Sequence, residues 1–200
     1  KFDIVNTSTK HYNFISRIHI NSTHGSISFT SSHNNTVSDS SLYANSIVLE
    51  LKDSSDNYFD NIRTVSIGIG GNSTKIHGSS TNNKIANSIL NTTRGSAIFS
   101  SGGYNYFIND TFNQTSNSVS GDGIVAVQWY LDTNVTYSNN TFAVNSNVTT
   151  YNRTGTYGFS DLVGSNGLVI RKNVTEYTQT SSGRIHYTNY TIDANTSVQK

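Results

Sequence analysis

A short asparagine-rich unit recurs along the first 142 residues and restricts the folds open to this chain. Each copy opens with Asn or Asp, carries an apolar residue three positions later and a second Asn or Asp two positions after that. The copies start at residues 34, 56, 82, 105 and 134, so the steps are 22, 26, 23 and 29 residues and average 25. A unit of this length cannot bury an apolar face alone, and stacking of successive units provides the missing core.

Short strands with alternating apolar residues lie between the units, and glycine-rich turns separate them. We therefore predict an all-β fold, a parallel β-solenoid of about five coils, with a β-sandwich that receives a donated N-terminal strand as the alternative. The expected interior column is Val37, Phe59, Ile85, Ile108 and Tyr137. A second column, either buried as stacked side-chain amides or exposed at a bend, is Asp39, Asn61, Asn87, Asp110 and Asn139.

These Asn-rich coils, of which Asn105-Tyr-Phe-Ile-Asn-Asp110 is one, resemble those of right-handed parallel β-helix proteins of the archaeal surface and adhesin-like type. The resemblance covers residues 34–142 and implies a β-helix fold and a place at the cell surface. In composition and in its apolar strand edges, the chain is also similar to the subunits of archaeal thread-type extracellular filaments, which donate an N-terminal strand.

The two flanks of the repeat region differ from it. Residues 1–33 form an N-terminal strand or cap, and one face of this strand carries Tyr12, Phe14, Ile18 and Ile20. This strand either packs on its own chain or contacts a neighbouring subunit as a donated strand. After the repeats at 34–142, residues 143–200 predict an antiparallel β meander that closes the open end of the solenoid.

Composition excludes several partners. Charged residues make up only 12% of the chain and the net charge is +1, with Lys and Arg scattered singly, so a nucleic-acid surface is not expected. No apolar stretch is long enough to span a membrane. The chain has neither Cys nor Met, so it has no disulfides, and the missing initiator Met indicates a processed chain or an excised fragment.

The strongest signal of compartment is the acceptor triplet for N-glycosylation, Asn-x-Ser/Thr. Random placement of the 27 Asn and 56 Ser plus Thr in 200 residues would give about eight triplets, whereas the chain has 14, and 12 of them end in Thr although Ser is the commoner residue. We therefore expect a secreted, extracellular chain that carries N-linked glycans. The acceptors are Asn6, Asn21, Asn34, Asn72, Asn91, Asn109, Asn113, Asn134, Asn139, Asn147, Asn152, Asn173, Asn189 and Asn195.

Signs of catalysis are weak. The chain has two Glu and ten Asp, and its densest acidic group, Asp53, Asp56 and Asp60 with Arg63 nearby, is typical of a solvated turn between coils. The six His show no metal-ligand spacing, so we expect no metal, no cofactor and no catalytic residues. Aromatic residues on an exposed solenoid face could stack on a surface polysaccharide, and the first candidates for such stacking are Tyr104, Tyr106, Trp129 and Tyr130.

Together these features favour a non-enzymatic structural glycoprotein of a microbial, archaeal cell surface that assembles with copies of itself into a filament or coat. The alternative is a carbohydrate-binding adhesin or a polysaccharide-active β-helix enzyme. Because a glycosylated Asn must reach solvent, and Asn34, Asn109 and Asn139 belong both to repeat units and to acceptor triplets, we expect the second column at an exposed edge.

Overall fold

The computed structural model describes residues 2–5 and 12–196, and the regular secondary structure of these residues is almost entirely β-strand. The strands are β1 (Phe2–Val5), β2 (Phe14–Ser16), β3 (His19–Ser22), β4 (Ile27–Thr30), β5 (Thr36–Ala44), β6 (Leu49–Lys52), β7 (Tyr58–Ser66), β8 (Thr74–His77), β9 (Lys84–Ala86), β10 (Ile89–Thr92), β11 (Ile98–Ser100), β12 (Tyr104–Ile108), β13 (Thr111–Phe112), β14 (Ser118–Val119), β15 (Ile124–Leu131), β16 (Asn147–Tyr151), β17 (Tyr157–Leu162), β18 (Lys172–Thr180), β19 (Gly183–His186) and β20 (Thr191–Asn195). A short 3-10 helix spans Gln114–Ser116.

Two sheets of parallel-paired strands form the walls of a solenoid. One sheet has the order β1-β4-β6-β8-β11-β14, and the other joins β2 and β3 to β5, β5 to β7, and β7 to β9 and β10. We number the coils from 1 to 5 as β1–β3, β4–β5, β6–β7, β8–β10 and β11–β13. The expected all-β solenoid of about five coils is therefore confirmed, and the alternative β-sandwich is wrong.

The interior column agrees with the prediction in its first three members and differs in the last two. Val37, Phe59 and Ile85 are in register and fully buried. In coil 5 the residue that pairs with Ile85 is Phe107. The predicted Ile108 is also buried, but it pairs with Ala86, one residue further along the strand. The predicted Tyr137 lies outside the coils and is half exposed, so the repeat unit at 134 does not belong to the solenoid.

A bend divides the longer wall of each coil into two halves. The residue at the bend has positive φ in all five coils, a conformation that Asn and Asp adopt more readily than other non-glycine residues. The expected exposed position of the second column is confirmed for its first three members, and its coil 5 member is Asn109 in place of the predicted Asp110. The bend residues are Arg17 (φ 56°), Asp39 (50°), Asn61 (51°), Asn87 (52°) and Asn109 (56°).

A different set of asparagines forms an amide ladder, which comprises Asn13, Asn35, Asn57, Asn83 and Asn105; Asn13 is exposed in coil 1, and the other four are buried. The Nδ2 of each residue donates to the Oδ1 of the next, at 2.7, 2.8, 2.9 and 2.9 Å in chain order. Each accepting Oδ1 also receives the backbone N–H of the preceding ladder residue. Stacked side-chain amides, which were one of the two predictions for the second column, therefore exist, but in a different column. Its members Asn35, Asn57 and Asn83 each directly follow the first residue of a predicted repeat unit.

The segment before residue 34 supplies coil 1. β1 pairs with β4, and both β2 and β3 pair with β5 of the same chain. The predicted single apolar face of Tyr12, Phe14, Ile18 and Ile20 is wrong, because positive φ at Arg17 reverses the alternation. Tyr12 and Phe14 are exposed, whereas Ile18 and Ile20 are half-buried.

The chain divides into two compact units. The solenoid unit comprises 1–127 and 178–184, and the second unit comprises 128–177 and 185–200. The second unit contains an antiparallel sheet of order β17-β16-β20, which confirms the expected antiparallel strands in the C-terminal part. Its small core is built from Val148, Val163 and Val169, with Val135 and Phe159 packed against them.

Candidate glycan-acceptor sites

The acceptor asparagines lie at the surface of both units. None of the 13 acceptors in the described part of the chain is buried, and Asn6 lies outside the described residues. Asn34, Asn72 and Asn152 are half-buried. The exposed acceptors are Asn21, Asn91, Asn109, Asn113, Asn134, Asn139, Asn147, Asn173, Asn189 and Asn195.

The buried asparagines form a separate group. Asn35, Asn57, Asn83 and Asn105 are at most 1% exposed, and none of them opens an acceptor triplet. Two roles of the same residue type are thus divided between positions: amides inside the solenoid bond to one another, and amides in acceptor triplets reach solvent. The amino-acid composition alone does not explain this division. A bulky glycan is tolerated only on an Asn that reaches solvent, so glycosylation would require it.

Three acceptor triplets share a compact local geometry. In the triplets at Asn113, Asn139 and Asn152, the Asn Oδ1 accepts both the backbone N–H and the hydroxyl of the Thr two residues later, with hydroxyl distances of 2.8, 2.7 and 2.7 Å. This is an Asx-turn closed by the third residue of the triplet. Among the described residues, Nδ2 of each of these Asn makes no protein hydrogen bond, so the atom to which a glycan attaches is available.

Two further pairs of acceptors share a register position. In the solenoid, Asn21 and Asn91 occupy one column, separated by Tyr43 and Val65 on the intervening coils. In the second unit, Asn147 of β16 pairs directly with Asn195 of β20. Directly opposed residues project from the same face of a sheet, so glycans on this pair would be immediate neighbours.

The carboxylates of the acidic group accept hydrogen bonds from coil 4. Oδ1 of Asp53 accepts the backbone N–H of Ser79 at 2.9 Å, and Oδ1 of Asp60 accepts Nδ2 of Asn87 at 2.7 Å. Asp56 accepts Nδ2 of Asn82. Each carboxylate thus binds the next coil separately, and none of these hydrogen bonds joins it to Arg63. In the described part of the chain, no three His, Asp or Glu side chains are grouped closely enough to hold a metal ion.

The aromatic candidates divide between the two units. Tyr104 and Tyr106 are adjacent on coil 5, with ring centroids 5.0 Å apart. In the second unit, Trp129 Nε1 donates to Glu176 Oε2 at 2.6 Å, and the guanidinium of Arg171 lies over Tyr130 at 4.7 Å from the ring centroid. Trp129, whose place on a strand predicts burial, is 37% exposed.

One ionisable residue that the repeat pattern misplaced is chemically unusual. Asp110 is 4% exposed, and its Oδ1 accepts the backbone N–H of Ser88 at 2.7 Å. Its Oδ2 has no hydrogen-bond partner among the described residues. Burial raises the pKa of Asp110 to about 8, against the lowering effect of its backbone hydrogen bonds. The repeat pattern placed Asp110 in the column expected at an exposed edge, so the sequence did not indicate a buried carboxyl group here.

The coils and their buried ladder define the chain as a β-solenoid protein. No protein-family model, curated protein or solved structure matches it. Within the described residues, no helix has the length and apolar character needed to cross a membrane.

Proposed function

We propose that this protein is a non-enzymatic, heavily N-glycosylated structural protein of a microbial, archaeal cell surface. The observation that carries the proposal is the division of asparagines: the interior ladder contains no acceptor triplet, and every described acceptor reaches solvent at least in part. A selected glycan coat requires this division. The presence of exposed acceptors in each of the two units further supports a glycan coat on both.

We also propose that copies of the chain join end to end through coil 1. The inward-facing residues Phe2, Ile4 and Ile15 are in register with the buried residues Ile27, Phe29 and Val37 of coil 2. Phe2 is 49% exposed, and Ile4 and Ile15 are half-buried. Among the described strands, β1 and β2 each pair on one side only. An apolar cross-section with unpaired strand edges is suited to further β-stacking.

The glycan part of the proposal predicts that intact glycopeptides from native material carry sugar on most of the exposed acceptors. Mass spectrometry of these peptides is the measurement. Arg63→Thr provides a gain-of-site control, because it creates a new triplet at the exposed bend residue Asn61, and we expect a new glycan there. Native peptides that carry only unmodified Asn would contradict the proposal.

The assembly part predicts filaments or sheets in electron micrographs of native material. Phe2→Lys places a charge in the open apolar cross-section and is expected to reduce assembly at least tenfold, measured as the sedimenting fraction. Ile69→Lys is the matched control, because Ile69 is an exposed isoleucine on another part of the solenoid. Equal loss in both variants, or dispersed particles in native material, would exclude assembly through coil 1.

A further inference from the structure

The outer surface of one solenoid wall carries a periodic set of side chains, which we call the aromatic face. Its central column consists of one outward residue per coil, and coil 5 adds Tyr104 beside it. The pairing of β2, β5, β7, β9 and β12 places the column residues in strict register. The members of the face are Phe14, Thr36, Tyr58, Lys84, Tyr104 and Tyr106.

Aromatic and polar residues alternate along this column. Coils 1, 3 and 5 contribute Phe14, Tyr58 and Tyr106, whereas coils 2 and 4 contribute Thr36 and Lys84. Adjacent parallel strands are about 4.8 Å apart, so the aromatic side chains recur roughly every 9.6 Å along the solenoid axis. A straight column of this kind is possible because the coils stack without a shift in register.

The column is accessible and carries a cation that the described residues do not neutralise. Phe14 is 72% exposed and Tyr58 is 37% exposed. Lys84 is exposed between Tyr58 and Tyr106, and it forms no ion pair with the part of the chain that the structure describes. The polar rows at Thr36 and Lys84 interrupt the apolar surface, unlike the core of a protein–protein interface, where charged residues are depleted.

We propose that the aromatic face binds an extended, β-1,4-linked acidic polysaccharide that lies parallel to the solenoid axis. In an extended chain of this linkage, alternate sugars present the same face, and the disaccharide repeat is close to two strand spacings. Sugar rings therefore meet the aromatic side chains at every second coil. In a uronic acid polymer of this geometry, the carboxylates on one side also recur once per disaccharide, which places one opposite Lys84.

The ligand class follows from these two features. Stacking requires an apolar sugar face at the aromatic spacing, and the uncompensated charge of Lys84 favours a carboxylate between two stacked sugars. The binding surface does not depend on glycosylation or on assembly of this chain, so it goes beyond the proposed function and can fail separately from it.

The test is titration calorimetry on the 200-residue chain prepared without glycans. The ligand is a β-1,4-linked mannuronate hexasaccharide, and the neutral β-1,4-linked mannose hexasaccharide is its control. We expect the acidic ligand to bind more tightly. Tyr58→Ala should weaken both ligands by roughly tenfold, or about 1.4 kcal/mol, because one sugar ring loses its stacking partner. Tyr106→Ala is a second variant with the same expected result.

Two further variants make the test specific. Lys84→Gln should weaken the mannuronate roughly fivefold and leave the neutral ligand unchanged. Tyr137→Ala, which removes an exposed tyrosine from the second unit, should change neither. The proposal is overturned if neither ligand binds, if Tyr137→Ala lowers affinity as much as Tyr58→Ala, or if Lys84→Gln leaves the preference for mannuronate intact. If the native protein is glycosylated and forms filaments but binds neither ligand, the proposed function stands and the proposed polysaccharide binding is excluded.

Discussion

Replacement of Asn83 by alanine is expected to lower the free energy of unfolding of the solenoid by roughly 3 to 5 kcal/mol, because several buried polar groups lose their partners at once. Asn83 Oδ1 accepts two donors from Asn57, and its Nδ2 donates to Asn105 Oδ1 and to the carbonyl of Ser54. The change also leaves a cavity in the middle of the stack. Urea unfolding followed by far-UV circular dichroism measures the effect.

Asn82→Gly is the matched control for this substitution. Asn82 precedes Asn83, is exposed and has a φ of 55°, a conformation that glycine adopts without strain. We expect this change to cost less than about 1 kcal/mol, since it removes only a surface hydrogen bond. If the two substitutions destabilise the protein equally, the buried ladder does not hold the coils together.

The second large effect concerns Asp110. Its pKa of about 8 in the folded protein lies above the ordinary value of 3.8, so the folded state binds this proton more tightly than the unfolded chain. The resulting stabilisation is complete below about pH 4 and is lost as the pH rises through about 8. Between pH 4 and pH 7 the loss is on the order of 3 to 4 kcal/mol.

Asp110→Ser should remove this dependence. At the same position in other coils, the hydroxyls of Ser40 and Ser88 accept a backbone N–H from the preceding coil and donate to a carbonyl two residues earlier. The new hydroxyl can make both bonds, and the Asn109 acceptor triplet is preserved. We therefore expect the variant to exceed the wild type in stability by an amount that grows from pH 4 to pH 7.

Urea unfolding at a series of pH values measures that difference. Asp122→Ser, which removes one carboxylate from an exposed turn, controls for the change in net charge. A constant stability difference between Asp110→Ser and the wild type across this pH range would show that Asp110 is not buried as a protonated acid.

The sequence was sufficient for the solenoid, but not for which segments form its first and last coils or for the register of coil 5. Coil 1 comes from residues before 34, and the predicted unit at 134 lies outside the solenoid. Three units begin with a pair, Asn34-Asn35, Asp56-Asn57 and Asn82-Asn83, and the prediction aligned the first member of each pair with Asn105. The structure aligns the second member, because that residue forms the buried ladder. The first position only has to suit an exposed corner, and Tyr104 occupies it in coil 5.

The prediction that the unit at residue 134 forms a coil was wrong for a related reason. In an Asn-rich chain, the spacing of the repeat unit also arises by chance. The spacing does not show whether the apolar residue of the unit packs on an inward-facing residue of a neighbouring coil. Asn134 instead forms an isolated antiparallel bridge with Leu168 in the second unit. The acceptor sites were easier to locate, since a triplet is local in sequence. Of the aromatic face, the sequence indicated only Tyr104 and Tyr106, because the column exists only once the register of four strand pairings is known.

The asparagine ladder gives the solenoid a direction. The side-chain amides of Asn13, Asn35, Asn57 and Asn83 each donate to the amide of the next coil, so their dipoles share one sense along the axis. At coil 1 the series ends in a carbonyl oxygen, that of Asn13, which accepts no bond from the described residues. Two copies that met through their first coils would oppose acceptor to acceptor. If copies join through coil 1 as proposed, this contact would be disfavoured, and a fibre built without it would be polar, with two chemically distinct tips.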